Sequence, residues 1–161
     1  MFPSELFSLF PPFPWEQRVF VAMSFAAPFQ RRWESVIKPA ISSVGLTPFR
    51  VDVSTISESI LTQILRGVSS SKLIFADVTN TNGFTNPNVM YEIGLAHAVR
   101  QPQEVILFRS DNEKLLFDLA HVKVNFYEPD TNADASKASV ENALTEAMAE
   151  TEQRKGIAVD K

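Results

Sequence analysis

The sequence predicts a single-domain α/β fold, a three-layer sandwich with a five-stranded parallel sheet between two layers of helices. Two observations lead to this prediction. Five short apolar segments alternate with longer segments of helical spacing, which is the pattern of parallel strands joined by crossover helices. The third apolar segment, residues 72–78 (KLIFADV), is apolar on both faces, as expected for a strand in the middle of such a sheet. The chain has 161 residues, the size of one domain.

The predicted elements follow one another in regular order along the chain. Compact apolar segments predict strands at residues 18–25, 46–53, 72–78, 104–109 and 122–127. Apolar residues that recur every three or four positions predict helices over residues 29–44, 56–68, 88–100 and 136–155. Gly45 ends the first helix in the position that favours glycine. Asn86 caps the third helix and Pro87 occupies its first position.

Composition and charge exclude several classes of function. The chain contains no cysteine, which rules out cysteine-ligated zinc, thiol nucleophiles and a disulfide framework. Its two histidines, His97 and His121, are too few for a multi-histidine metal site. The net charge of −4 and the pI near 5.2 argue against a partner that is a nucleic acid polymer. No apolar run approaches the ~20 residues that cross a bilayer, so we expect a cytoplasmic protein with no membrane partner.

Residues 1–17 (MFPSELFSLFPPFPWEQ) differ in composition from the rest of the chain, because phenylalanine and proline dominate them. We predict that they form an extended N-terminal arm. The arm either packs on its own domain or docks on a second subunit, since a proline-stiffened chain loses little entropy on docking. The predicted domain proper then covers residues 18–155, and residues 156–161 form a C-terminal tail.

Residues with chemistry to perform should lie just after strands or at helix starts, because ligands of such sheets bind beyond the carboxyl ends of the strands. Candidates in these positions are Met23, Ser24, Phe25, Asp52, Asp77, Asn80, Asn86, Asn88 and Glu92. Neither the glycine-rich dinucleotide fingerprint nor the phosphate loop is present.

The strongest local signal is the segment 86–98 (NPNVMYEIGLAHA). Asn88 and Glu92 are four residues apart and share a neighbouring face of the predicted helix, and the positive end of the helix dipole favours an ionised Glu92. Asp77 ends the preceding strand and points into the same crevice, so the two carboxyl groups could divide acid and nucleophile roles. The alternatives are a solvated surface glutamate at position 92 and a loop-capping aspartate at position 77.

Four segments, FVAMSF, FADVTN, NPNVMYEIGLAHA and LLFDLAHVKVNFY, resemble the nucleoside 2-deoxyribosyltransferase superfamily and its relatives, the TIR domains and TIR-like proteins of bacterial defence. The resemblance covers about residues 18–128. It implies a flavodoxin-like or TIR-like sandwich with strand order 2-1-3-4-5. It also implies that Glu92 attacks the anomeric carbon of a nucleoside, or stabilises the cation formed there, while Asp77 holds the sugar or assists the leaving base.

The same resemblance implies roles in substrate binding for the remaining candidates. Met23, Ser24 and Phe25 would wall the base, and Asn86 stands where some of the transferases carry a sugar-binding aspartate. Asp118 also recurs in the similar proteins, either as a structural anchor or as a substrate contact. Asp52 follows the second strand and either touches a ribose or phosphate or forms a surface ion pair. Asn80 and Asn88 complete the set of expected substrate-binding residues.

Three functions follow as hypotheses. The first is cleavage or transfer of an N-glycosidic bond in a nucleoside or nucleotide. The second is a TIR-like NAD glycohydrolase or a synthase of an NAD-derived signal. The third is a module that senses a nucleotide without turnover. All three predict a small-molecule nucleoside or nucleotide as partner and a homo-oligomeric assembly. None requires a metal or another cofactor, although NAD would be a substrate of the second.

Overall fold

The computed structural model describes residues 15–51, 60–113 and 122–159. The strands are β1 (Glu16–Ala22), β2 (Thr47–Phe49), β3 (Ser71–Asp77), β4 (Val105–Arg109) and β5 (Val124–Phe126). The helices are α1, made of three consecutive stretches (Ala27–Arg32, Trp33–Ile37 and Lys38–Ser43), α2 (Ile60–Ser70), α3 (Pro87–Val99) and α4 (Ala133–Val159). A 3₁₀ turn, Pro102–Glu104, leads into β4.

The five strands form one parallel sheet in the order β2-β1-β3-β4-β5. This confirms the predicted α/β class, the five parallel strands and the flavodoxin-like order 2-1-3-4-5. The sheet is buried on both faces, since every residue of β4 and all but one of β3 are inaccessible to solvent. Burial on both faces is the reason that these strands read as continuous apolar runs.

Alternate residues of the central strands supply two separate hydrophobic cores. On one face, α1 and α4 pack over a core that includes Val21, Phe75 and Phe108. On the other face, α2 and α3 pack over a core that includes Phe20 and Leu107. The helix that follows β1 therefore covers one face, and the helix that follows β3 covers the other. The chain leaves these neighbouring strands in opposite directions, which opens a crevice between them at the carboxyl edge of the sheet.

Helix α1 contains a π-helical turn, Trp33–Ile37, which the apolar spacing does not predict. Pro39 follows two residues later, inside the helix. Proline has no N–H to donate and its ring collides with the preceding turn, so the helix must widen ahead of it. The wider turn keeps Ile37 and Ile41 in the core.

The other elements differ from the predictions mainly at their ends. Strand β2 has only three residues, because it pairs with β1 alone at the edge of the sheet and contains Pro48, a residue that edge strands tolerate. The predicted cap of α3 is confirmed, since the Asn86 side chain accepts hydrogen bonds from the backbone N–H groups of Asn88 and Val89. Helix α4 is longer than predicted and ends at Val159.

Several expectations lie outside the described residues. They are Asp52, Asp118 and most of the N-terminal arm. Within the described ranges, no helix is both long enough and apolar enough to cross a membrane.

Candidate functional site at the carboxyl edge of the sheet

Asp77, the last residue of β3, lies at the centre of a buried polar network. One oxygen of its carboxylate accepts a hydrogen bond from the Arg32 guanidinium at 3.1 Å and one from the Tyr127 hydroxyl at 2.6 Å. The other oxygen accepts the Thr79 backbone N–H at 2.9 Å and is also contacted by the Thr79 hydroxyl. Arg32 in turn binds Asp130, at 2.5 Å from its Nη2. We call these five residues the Asp77 network.

The electrostatics of the Asp77 network keep Arg32 charged and Tyr127 protonated. Burial, followed by the neighbouring Asp77 carboxylate, raises the pKa of Tyr127 well above its usual range, so the phenol stays protonated and donates to Asp77. Burial alone would lower the pKa of Arg32, but the hydrogen bonds to Asp130 and the charge of Asp77 outweigh it and raise this pKa. The network therefore joins α1, β3 and the chain after β5 through fixed charges, and its carboxylate has little remaining capacity for a ligand.

A second cluster lies over β1 and β2 at the same edge. The Arg50 guanidinium lies 3.7 Å from the centre of the Phe25 ring and 5.6 Å from that of Trp33. Its Nη atoms donate to the backbone carbonyl of Ser24 at 2.9 Å and to the Gln30 side chain at 3.1 Å. The side chain of Arg50 is thus held in place, and Phe25 rests on it while 52% of the residue stays exposed.

Glu92, on the second turn of α3, has surroundings unlike those of Asp77. Its neighbours Val89 and Ile93 are buried and fix the helix against the sheet, which leaves the Glu92 side chain half-buried. No hydrogen bond or ion pair from the described part of the chain reaches its carboxyl group. Burial raises the pKa of Glu92 to about 7, and the positive charge of Arg50 opposes this rise. Near neutral pH the group gains or loses a proton readily.

Exposed aromatic side chains gather at this edge of the sheet. Phe25 follows β1, Phe84 lies in the loop after β3, and Tyr91 lies on the first turns of α3. Each is more than half exposed. We call these three residues the aromatic rim. Their exposed rings are each accessible to a ligand or a partner that approaches this edge.

The loop after β3 is held by its own polar groups. The Asn80 backbone N–H donates to Asp111 at 2.8 Å, and the Asn80 side chain accepts from the Thr85 hydroxyl. A tight turn at Asn82 and Gly83, both with positive φ, brings Phe84 to the surface. This loop presents Phe84 on a defined backbone.

The structure distributes the predicted site residues unevenly. Met23 is buried in the core under α1 and α4, and the Ser24 hydroxyl accepts the Ala26 N–H in a local turn. Asn86 is the helix cap and Asn88 is exposed next to it. Phe25 follows β1 and Glu92 lies on the second turn of α3, and both keep accessible surface.

Sequence reasoning missed four members of the Asp77 network, namely Thr79, Asp130, Arg32 and Tyr127. The last two contact the Asp77 side chain from distant parts of the chain. They are 45 and 50 residues from Asp77 along the chain, so no local motif connects them. A charged residue in the otherwise apolar stripe of α1 is the one available signal for Arg32.

Comparison with known proteins adds a finding about the fold. No family model matches the sequence, and no curated protein matches it. Its structural neighbours include flavodiiron proteins. A mutant of the flavo di-iron protein from Thermotoga maritima aligns with 84% of this chain and 37% of its own, at a TM-score of 0.60 and 13% identity. The metal-soaked Flv1 flavodiiron core from Synechocystis sp. PCC6803 aligns with 86% of this chain and 36% of its own, at a TM-score of 0.58 and 12% identity.

Rubredoxin oxygen:oxidoreductase from Desulfovibrio gigas is a further neighbour, with a TM-score of 0.52 and 12% identity over 86% of this chain and 37% of its own. This chain spans little more than a third of the length of these neighbours. At such identities the likeness establishes the fold and leaves the activity open.

These comparisons correct four expectations. The assignment to the nucleoside 2-deoxyribosyltransferase superfamily or to TIR-like proteins is wrong, since the neighbours are flavodiiron proteins. With it fall glycosidic bond cleavage through a glutamate nucleophile and the NAD-consuming and nucleotide-sensing alternatives. The expectation of a chain without a cofactor is also wrong, because the neighbours are named for flavin and iron. The short motifs misled because strands and helix starts of this fold share their local pattern across unrelated families.

The neighbours bear on the expectation of an enzyme only at its coarsest level. One neighbour is an oxidoreductase, whereas none of those named here is a glycosidase or a transferase.

Proposed function

We propose that this chain is a flavin-binding domain that serves a redox reaction, with the flavin ring at the carboxyl edge of the sheet between β1 and β3. Two observations, both of the fold, support this proposal. The structural neighbours are named as flavodiiron proteins and as an oxidoreductase. Doubly wound sheets with the order 2-1-3-4-5 take their ligand at the switch point between β1 and β3, where this chain has its crevice.

The observation that carries the proposal is the platform formed by Phe25 and Arg50. The Arg50 guanidinium supports the Phe25 ring at 3.7 Å, while more than half of Phe25 remains exposed. A flat aromatic ligand stacks on such a ring, and a stacked pair contributes roughly 0.5–1.5 kcal/mol beyond the area that it buries. Because the backbone carbonyl of Ser24 and the side chain of Gln30 hold Arg50, the platform exists before the ligand arrives.

The residues fit the ring of a flavin better than they fit its phosphate. In the turn from β1 to α1, the Ser24 hydroxyl accepts the Ala26 N–H, Pro28 has no N–H, and the Gln30 N–H bonds to the Ala26 carbonyl. This turn therefore offers fewer N–H groups to a phosphate than an unobstructed helix N-terminus does. We therefore propose that the chain recognises the flavin ring and that the aromatic rim surrounds this ring.

A bound flavin supplies hydride and electron transfer, which the side chains of this protein do not carry out themselves. The contribution of the chain is to stack the ring on Phe25, to shield it with the aromatic rim and to place the Glu92 carboxyl beside it. Within the described ranges, no three histidine, cysteine, aspartate or glutamate side chains come together to hold a metal ion. The proposal therefore concerns flavin and not iron.

Titration of the full chain into riboflavin and into flavin mononucleotide tests the proposal, with quenching of flavin fluorescence as the readout. We expect both to bind with similar dissociation constants, because the ring makes the contacts. Phe25→Ala should weaken binding by about 2- to 10-fold, the equivalent of one lost stacking contact.

Phe126→Ala is the matched control. Phe126 is also an exposed phenylalanine beside an arginine, with Arg109 at 5.9 Å, but it lies on β5 at the far side of the sheet. Its replacement should leave the dissociation constant unchanged. Absence of binding to either flavin at millimolar concentration would refute the proposal.

A further inference from the structure

Glu92 is a half-buried carboxyl group at the crevice, and the fold itself makes no use of it. Across the described residues, nothing hydrogen-bonds to it or pairs with it. The group is part-buried and has no partner among the described residues, so its oxygens remain able to bond to a ligand. The network around Asp77 shows that, at the same edge, the fold supplies partners for a different carboxyl group.

The charged groups on the elements around α3 are committed elsewhere. On β3, Asp77 is held by Arg32 and Tyr127. On β4, Arg109 binds Asp111. Burial lowers the pKa of Arg18, and on α2 the positive charge of Arg66 lies close enough to Arg18 to lower this pKa further by repulsion. The field that acts on Glu92 is that of Arg50, the same side chain that supports Phe25.

A protonated carboxyl group can donate one hydrogen bond and accept another, whereas the ionised form only accepts. The polar edge of a flavin ring presents carbonyl oxygens and ring nitrogens in alternation, and a group that both donates and accepts matches this edge. Building on the proposed function, we infer that Glu92 is the hydrogen-bonding contact for the polar edge of the bound ring and that it holds a proton in the complex. Flavin binding is then coupled to proton uptake from neutral solution.

The coupling predicts a specific dependence of affinity on pH. In the protein without flavin, Glu92 has a pKa of about 7. Its carboxyl group is therefore mostly protonated at pH 6 and mostly ionised at pH 8. If only the protonated form binds, the dissociation constant for riboflavin should rise about tenfold from pH 6 to pH 8. Glu92→Gln remains neutral and keeps a donor and an acceptor, so its affinity should not change with pH over this range and should match the wild type at pH 6.

Glu34→Gln provides the control, because Glu34 is an exposed glutamate on α1 that pairs with Lys38. This variant should keep the full tenfold dependence. Calorimetry of the wild type at pH 7.5 in two buffers of different ionisation enthalpy gives a second readout, and we expect uptake of between half a proton and one proton per flavin bound.

The outcomes separate the two proposals. A wild type that binds riboflavin with the same affinity at pH 6 and pH 8, or a Glu92→Gln variant that keeps the pH dependence, overturns the role of Glu92 and leaves the flavin site standing. A wild type that binds no flavin at any pH overturns both.

Discussion

Asp77 and Glu92 lie at the same edge of the sheet, and their sequence context gives them equal claims to a chemical role. The structure separates them. Asp77 is 2% exposed and receives hydrogen bonds from an arginine, a tyrosine and a backbone N–H. Glu92 is half-buried and receives none from the described residues. A carboxylate whose partners are all supplied by the fold stabilises that fold, whereas one that is left without partners is available to a ligand.

The largest expected effect comes from breaking the satisfied group. Asp77→Asn removes the charge that faces Arg32 and should lower the free energy of unfolding by about 3 kcal/mol, the low end for a broken buried pair because Arg32 keeps Asp130. Urea denaturation at pH 7 measures this change in the free energy of unfolding. Glu92→Gln should cause no loss of stability under the same conditions. A loss below 1 kcal/mol for Asp77→Asn would mean that the two carboxyl groups are energetically equivalent.

The second effect is a dependence of stability on pH that arises from Glu92. Folding raises the pKa of this group from 4.5 to about 7, so between these values the folded state binds more protons than the unfolded state. The stability of the wild type should therefore fall as pH rises from 4.5 to 7 and level off above 7. The full shift corresponds to about 3 kcal/mol, and partial exposure of the side chain reduces the expected loss to roughly 2 kcal/mol.

Unfolding curves of the wild type and of Glu92→Gln at several pH values isolate this contribution, because all other titrating groups are shared. The difference between the two proteins should grow by roughly 2 kcal/mol across this range, with the wild type losing stability relative to the variant. A difference that stays constant from pH 4.5 to pH 8 would contradict the burial of this carboxyl group.

The smallest effect concerns a single hydroxyl group. Tyr127→Phe removes the donor 2.6 Å from Asp77 but keeps the ring, which packs edge-on against Phe108 with 5.1 Å between centroids. We expect a loss of about 1–2 kcal/mol in thermal or urea unfolding. Tyr91→Phe, which alters an exposed tyrosine of the aromatic rim, should change stability by less than about 0.5 kcal/mol. Equal losses of stability in the two variants would show that the hydrogen bond from Tyr127 to Asp77 does not stabilise the fold.

The elements that periodicity and caps determine could be predicted from the sequence. The buried strands β3 and β4 read as apolar runs, and Asn86 with Pro87 marked the start of α3 correctly. The π-helical turn in α1 could not be predicted, because it depends on how the helix accommodates Pro39 while it remains packed. The sequence likewise could not show which carboxyl group is satisfied, because Arg32 and Tyr127 reach Asp77 only through the tertiary fold.

The functional hypothesis failed for a related physical reason. Short polar patterns after strands and at helix starts reflect what the carboxyl edge of any parallel sheet requires, namely caps, turns and groups that close the loops. Asn86 and Ser24 fill such roles here. Similarity in these positions therefore reports the architecture more strongly than the chemistry.

The widened turn of α1 also determines where this helix can lose a residue. Arg32 lies just before the turn and reaches Asp77, while Ile37 and Ile41 at its end and beyond enter the core. Each residue of an α-helix advances the side chains by about 100° around the axis. A π turn holds one residue more than an α turn, because its hydrogen bonds run from i to i+5. Removal of one residue between Trp33 and Ile37 would let this turn close as an ordinary α turn, with Arg32 and Ile41 still facing the sheet. Removal of one residue elsewhere in α1 would instead rotate one half of the helix by about 100° and break either the ion pair or the apolar contacts.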